Sequence, residues 1–357
     1  MKILITGVGG VTPRSFAQAL RKYSRYKSYN LIGTDSNPYA LGLYMPSLFD
    51  KSYLVPDAGD SAYWPAVKKI ISDESIEYAV VSPEAEVIAW AKKKTESGLP
   101  CRAILPDYNL AVQLVDKALV SDVLAPYGLA PKSCVINRED AGDEKKIKLP
   151  YPFWIRSTSG SSGLGALKVN HEGELKAWMF INPEIKKFMI SEYLPGRNFA
   201  CKMLYYGGEL IRSAVAERVM YVMSNVAPSG ITGNTSFGRL LNNPDVFNVA
   251  RKAMDIIMEK TKSGKHGFFT VDLKEDDSGI PKVTEVNIRA VAFVQCYAAA
   301  GANFPEDIMR LLDDDPAFDR RFKIYEFEPD VIFMRDVDEQ PIIMKESQII
   351  TNCGEVC

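Results

Sequence analysis

The sharpest chemical arrangement in this 357-residue chain is a set of two carboxylates and an amide in its last third. Gly267-Phe268-Phe269-Thr270-Val271-Asp272-Leu273 and Lys282-Val283-Thr284-Glu285-Val286-Asn287 alternate as strands do, and the polar, turn-rich Glu275-Asp276-Asp277-Ser278-Gly279 joins them. A hairpin centred on Ser278-Gly279 sets Asp272 opposite Glu285, Thr270 opposite Asn287 and Val271 opposite Val286. Asp272, Glu285 and Asn287 then share one face and the valines the other. Opposed carboxylates repel unless a cation lies between them, and hard oxygen donors suit Mg²⁺ or Mn²⁺ completed by phosphate oxygens and water. Arg289, two residues on, is placed to hold a transferred phosphate. A polar face on an exposed surface hairpin would give the same pattern.

A second candidate is Arg156-Ser157-Thr158-Ser159-Gly160-Ser161-Ser162-Gly163-Leu164-Gly165, which lies between the strand-like runs Tyr151 to Ile155 and Ala166 to Val169. Glycine permits the backbone angles that turn successive N–H groups inward, so such a flap can wrap an anion, with Arg156 as a fixed charge at its base. It lacks Gly-Lys-Ser/Thr before a helix and is not a P-loop; a ligand-free Ser/Gly loop is the plain alternative. Lys187 to Leu194 reads as a strand whose aliphatic residues suit an adenine pocket, with Glu192 at its polar edge, or simply a core.

The elements that must position these groups begin with Lys2 to Thr6, a strand running into Gly7-Val8-Gly9-Gly10 and a helix from Thr12 to Tyr23. A strand at Leu31 to Thr34 ends at Asp35, about where an acid meets a ribose in dinucleotide-binding units, although Pro13-Arg14 stand where a third glycine would fall. Further strands (Ser52 to Val55, Tyr78 to Val81, Cys101 to Leu105) alternate with helices (Tyr63 to Ser72, Val87 to Lys94), which implies a doubly wound parallel sheet over residues 1 to about 108. Ligands of such sheets lie beyond the strand carboxyl ends, so Gly7 to Gly10, Asp35 and Ser82-Pro83-Glu84 form one candidate acceptor rim. Asp107 to Gly128 reads as one helix carrying Lys117.

Composition narrows the class. The 43 Lys and Arg against 45 Asp and Glu give a net charge of −2, which argues against nucleic acid or an anionic membrane as partner. No apolar run approaches the roughly 18 residues of a membrane span, and no signal peptide is apparent, so a cytoplasmic protein is expected. The six cysteines match no zinc spacing and read as reduced thiols, and two histidines leave little for a zinc hydrolase or a Ser-His-Asp enzyme.

Read in order, these motifs resemble the ATP-grasp superfamily, and most of all the carbamoyl phosphate synthase large-subunit type with one synthetase half, over about residues 1 to 315. Gly33 to Ala40 and Asp50 to Pro56 resemble the domain preceding the grasp, and Asp116-Lys117 with Tyr127 to Pro131 the helix that leads into it. Ile155-Arg156 and the Ser/Gly loop resemble the phosphate loop, Ser191-Glu192-Tyr193-Leu194-Pro195-Gly196 the adenine hinge, and Val271-Asp272 with Glu285-Val286-Asn287-Ile288-Arg289 the metal motif.

The resemblance implies an N-terminal α/β domain (1–108), a two-lobed grasp domain (109–315, small lobe about 130–193) and a C-terminal extension (316–357). It implies an ATP- and Mg²⁺-dependent ligase that joins a small carboxylate to an amine through an acyl phosphate. Lys117, Arg156, Ser157, Ser161, Gly163, Glu192, Tyr193, Leu194 and Asn198 would bind ATP, and Asp272, Glu285 and Asn287 the metal. Arg289 and Arg156 would act on the phosphate in flight. Asn198 stands where the family commonly has a ribose-binding acid, and Ile288 where it has proline. Arg218 is a candidate for the substrate carboxylate, and Ser229 to Thr235 resembles the mobile loop beside the reacting groups. Strand-like segments at Lys323 to Arg335 and Ile342 to Ile350 suit a closing sheet or a homodimer contact. Three alternatives stand beside this reading: a carboxyphosphate or carbamoyl phosphate synthetase, a non-catalytic nucleotide binder, and a nicotinamide oxidoreductase built on Gly7 to Gly10 and Asp35.

Overall fold

Three sheets organise the protein, whose computed structural model describes residues 1–140, 146–158, 165–336, 348 and 350–356. In the first, β1 (Lys2–Thr6), β2 (Asn30–Asp35), β3 (Lys51–Leu54), β4 (Tyr78–Val80) and β5 (Arg102–Ala103) are all parallel in the order β3-β2-β1-β4-β5. Helices α1 (Val11–Tyr23), α2 (Tyr63–Asp73) and α3 (Glu84–Ser97) provide the crossovers. Ile3, Leu4 and Ile5 are fully buried in consecutive positions, as a strand covered on both faces requires. The order reverses at β1, so the crevice beyond its carboxyl end is the natural ligand position. Gly7 turns the chain there with φ +67°, and a Cβ at that residue would lie 2.2 Å from Pro83 Cγ, so only glycine lets the loop pass this close to α3.

The run from Asp107 to Gly128 is two helices, α4 (Tyr108–Val115) and α5 (Lys117–Leu124), rather than one. Asp116 is extended (φ −93°, ψ 108°), and its Oδ1 accepts the N–H groups of Ala118 at 2.9 Å and Leu119 at 3.2 Å. This cap interrupts the helix and makes Lys117 the first residue of a new one. A four-stranded antiparallel sheet follows, ordered β6-β9-β7-β8, from β6 (Ser133–Asn137), β7 (Phe153–Ser157), β8 (Leu167–Val169) and β9 (Lys187–Glu192), with α6 (Glu172–Ile181) against it. Within β7, Phe153 and Ile155 are fully buried, which turns Trp154 and Arg156 to the opposite face.

The large sheet is built on β10 (Asn198–Tyr206), β11 (Glu209–Tyr221), β12 (Thr235–Leu241), β13 (Gly267–Glu275) and β14 (Pro281–Asn287), in the order β14-β13-β10-β11-β12. Phe199, Cys201, Met203 and Tyr205 of β10, with Phe269, Val271, Leu273 and Val286, pack on α4, α5 and α7 (Pro244–Thr261). Burying each large apolar side chain there contributes about 1.5–3 kcal/mol. The alternate residues, including Ala200, Leu204, Ala214, Ala216 and Phe268, face a second core shared with α1, α8 (Val294–Ala299) and α9 (Phe304–Leu312). By the same period of two, Arg218, Asp272, Glu285 and Asn287 lie on this second face.

The C-terminal segment serves both sheets. β15 (Lys323–Ile324) runs parallel to β11, β16 (Ile332–Met334) extends the large sheet beside β12, and β17 (Gly354–Val356) adds an antiparallel edge to β3. The five strands within residues 1–108 are all parallel, as expected, and the C-terminal β17 adds one antiparallel edge strand to them. Of the strand expected at Ile342 to Ile350, only Gln348 and Ile350 fall among the described residues, and neither is in a strand.

Candidate active site

Pairing in the β13–β14 hairpin follows the expected register, with Thr270 opposite Asn287, Val271 opposite Val286 and Asp272 opposite Glu285. A bulge after Asp272 shifts the remaining pairs by one residue, so Leu273 faces Val283. Asp272 is 7% exposed. Its Oδ1 accepts Arg218 Nη2 at 2.6 Å and its Oδ2 accepts Asn287 Nδ2 at 3.0 Å. Arg218 reaches Asp272 from β11 across the intervening β10, where Ala200 lies between Ala216 and Asp272 and leaves room for the guanidinium. Glu285 faces two other cations, Lys117 Nζ at 3.6 Å and Arg156 Nη1 at 3.9 Å. Arg156 Nη2 also donates to the Thr284 carbonyl at 2.6 Å, which ties the β7 flap strand to the hairpin.

The electrostatics reflect crowding of like charges. Burial, aided by neighbouring Glu285, lifts the Asp272 carboxyl to about 7 against the pull of Arg218. Burial also works against the Glu285 carboxylate, but Lys117 and Arg156 outweigh it and hold its pKa below the ordinary range. The two carboxyls are close enough to share a proton. An oxygen-only pair of this kind, with an amide beside it, fits a hard divalent cation such as Mg²⁺. Among the described residues no group of three or more His, Cys, Asp or Glu could hold a metal, so other ligands would have to come from phosphate oxygens and water.

Two cavities meet at this face. The first, of about 380 Å³, is lined by Lys117, Arg156, Ser157, Glu192, Tyr193, Leu194 and Asn198, together with Trp154, Tyr221 and the Ser229 to Gly233 loop. Every described residue read as ATP-binding thus borders one space, while Ser161 and Gly163 lie outside the described residues. Glu192 borders the cavity, but its Oε2 accepts the Lys132 N–H at 2.9 Å, so much of its hydrogen-bonding capacity is directed to the neighbouring strand. The second cavity, of about 590 Å³, opens between the rim of the parallel sheet (Gly7, Gly9, Gly10, Asp35, Ser82, Pro83) and Asn287 and Arg289. Arg218, Asp272 and Glu285 border both. Arg289 bridges the two sheets: its Nη1 donates to Thr12 Oγ1 at 3.4 Å and to the Ala290 carbonyl at 3.1 Å, and its Nη2 lies 3.7 Å from Glu84.

Some features of the site have no local signal in the sequence. Arg218, considered as a contact for a substrate carboxylate, borders both cavities and is also the ion-pair partner of Asp272, 54 residues away. Lys202 of β10 is fully buried, with Nζ donating to Thr270 Oγ1 at 3.0 Å and the rings of Phe293, Tyr297 and Phe268 around it. Burial drives its pKa well down, with Arg218 and Arg289 adding to the shift and Asp272 opposing it. Asp35, where a nicotinamide reading would put a ribose contact, accepts the Gly9 N–H at 2.7 Å and the Asn37 N–H at 2.9 Å and so braces the glycine turn.

No family model matches the sequence, and no curated protein does either. Solved structures do match in fold. The L-amino acid ligase of Bacillus licheniformis superposes with a TM-score of 0.62 at 16% identity, over 87% of this chain and 74% of that one. The biotin carboxylase domain dimer of 2-oxoglutarate carboxylase from Hydrogenobacter thermophilus, solved with MgADP, ADP and bicarbonate, gives 0.63 at 14% identity over 88% and 70%. The D-alanine–D-alanine ligase of Bacillus anthracis gives 0.57 at 14% identity over 88% of this chain and 99% of that one.

Proposed function

From an ATP-grasp fold, which this chain has, we propose an ATP- and Mg²⁺-dependent ligase that joins a small carboxylate to an amine. The observation that carries the reading is the face of Asp272, Glu285 and Asn287 at the junction of two cavities, one suited to a nucleotide and one to the other substrates. Nucleotide complexes among the similar structures support it, as do the two ligases named above.

In this reading Tyr193, Leu194 and Asn198 border the base and ribose, and Lys117, Arg156 and Ser157 the phosphates. Asp272, Glu285 and Asn287 hold the Mg²⁺, which when bound screens phosphate charge. A carboxylate oxygen attacks the γ-phosphorus, ADP leaves, and the acyl phosphate then yields to the amine with loss of phosphate and a proton. Little covalent help is required, because cations aimed at the moving phosphoryl lower the barrier. Arg156 serves it from the nucleotide side and Arg289 from the substrate side. The Ser229 to Gly233 loop is positioned to exclude water, which would hydrolyse the acyl phosphate. The same proposal includes domain limits near residues 108 and 315, a cytoplasmic location and a homodimer. Among the described residues no helix is long and apolar enough to cross a membrane, and one similar structure is described as a dimer. The test is ADP release across a panel of carboxylates and amines: it should require both substrates and vanish in a folded Glu285→Ala variant, and release that persists in that variant refutes the metal assignment.

A further inference from the structure

Lys202 lies on the second-core face of β10 between Ala200 and Leu204, where the period of two calls for an apolar residue, and it has no exposed surface. Asp272, the acid that favours its charge, is already bonded to Arg218 and Asn287. An amine buried in this way costs stability. It lines neither of the two cavities, so it acts on a bound substrate only through other residues.

Those residues belong to the segment that carries Arg289. Residues 288–293 join β14 to α8, and Arg289, Val291 and Ala292 line the larger cavity. Lys202 Nζ donates to Thr270 Oγ1 at 3.0 Å, and the Thr270 hydroxyl donates in turn to the Arg289 carbonyl at 3.3 Å. A hydroxyl has one proton to give, so an amine donating to its oxygen leaves that proton for the carbonyl. At the far end of the segment the Phe293 ring centroid lies 5.1 Å from the same Nζ, and the ring stacks on Phe333 at 5.1 Å. An amine presents N–H groups to a ring face in either charge state, so the lowered pKa leaves both contacts in place. Arg218, the partner of Asp272, lies over the same ring at 5.5 Å.

We propose that Lys202 is a positioning residue that pins this segment at both ends, through Thr270 at Arg289 and through the ring of Phe293, and so sets where Arg289 meets the phosphoryl group. Its effect on the reaction rests on the ligase reading, whereas the pinning does not. The test is hydrogen exchange, read by mass spectrometry, on the full chain as wild type, Lys202→Met, Thr270→Val and the double variant. The N–H groups of Val294 and Cys296 bond to the carbonyls of Val291 and Phe293 at 3.2 and 3.0 Å and report on the segment. Their peptide should exchange about two- to tenfold faster in each single variant, the range one hydrogen bond is worth. Because the two side chains act in one chain of bonds, the double variant should exchange no faster than the more affected single one. In Lys202→Met the rest of the large sheet should stay as protected as before or become more so, whereas a residue that only fills the core would move every peptide together. In ADP release with a carboxylate and amine that the wild type uses, Lys202→Met should lower kcat by up to about 10²-fold, as a displacement of about 1 Å does. KM for ATP should not change, because Arg289 does not line the nucleotide cavity. Unchanged exchange in this peptide, or exchange raised equally throughout, overturns the proposal, as does full kcat in a variant whose segment exchanges faster. A wild type that releases no ADP with any pair refutes the ligase reading instead, and the exchange pattern still decides the pinning.

Discussion

Replacing Glu86 with glutamine should stabilise the protein at alkaline pH and change little in acid. Glu86 is 8% exposed and packs where α2, α3 and β1 meet, accepting a hydrogen bond from the Tyr63 hydroxyl, which in turn accepts the Trp90 indole N–H at 2.9 Å. Burial raises its carboxyl from 4.5 to about 7; Tyr63 and Thr6 oppose the shift, and Asp35 and Asp57 add to it. Because the folded-state pKa lies above the unfolded one, the stability from the protonated acid is complete below about pH 4.5 and is lost as pH rises through 7. At about 1.36 kcal/mol per unit, the penalty at pH 8.5 comes to about 3 kcal/mol. Glutamine keeps an oxygen for the Tyr63 hydroxyl and carries no charge. With an unfolding entropy of about 2.1 cal/mol/K per residue, Glu86→Gln should raise the melting temperature by about 4 °C at pH 8.5. The difference should shrink toward zero near pH 4.5. Thermal melts of both proteins across this range provide the assay. A difference that does not vary with pH, or a variant less stable at pH 8.5, would refute the reasoning.

Three further outcomes follow from the same geometry. Lys202→Met removes a fully buried amine with one hydrogen bond and should stabilise the protein by about 1–4 kcal/mol in denaturant titrations, since an apolar side chain of similar volume suits that aromatic box better. Arg218→Ala leaves Asp272 buried without its ion-pair partner and should cost about 3–5 kcal/mol of stability, with Arg218→Lys recovering part of it. Asp116→Ala removes the cap of α5 and should cost about 1 kcal/mol; because Lys117 is the next residue, ATP affinity measured by titration should fall with it.

The register of the β13–β14 hairpin, and with it the shared face of Asp272, Glu285 and Asn287, was legible in advance because two local signals agree: alternation from Phe269 to Lys274 in β13, and a polar turn that leaves one register compatible with burying Val271 and Val286. The bulge after Asp272 leaves only a faint trace, Val283 and Val286 standing three residues apart in β14 where strict alternation would set them two or four apart. The break at Asp116 was signalled by an N-capping residue, but the apolar spacing of Leu110, Leu114 and Ala118 runs on through it and favours one helix. Arg218 and Lys202 acquire their partners only when β10 lies between β11 and β13, a long-range pairing no local window contains. β15, β16 and β17 hold two or three residues each, too few to show a period. The rim of the parallel sheet was legible because strand ends follow from the βα alternation, whereas the cavity it borders depends on how that rim meets the large sheet.

The central claim is that this site activates a carboxylate by phosphorylation, and trapping with hydroxylamine tests it most directly. Full-length protein incubated with MgATP, a candidate carboxylate and hydroxylamine should form the matching hydroxamate and ADP in equal amounts. Neither should form when Mg²⁺ or the carboxylate is omitted, or in Glu285→Ala. MgATP binding with no hydroxamate from any amino acid or simple carboxylic acid would contradict the account.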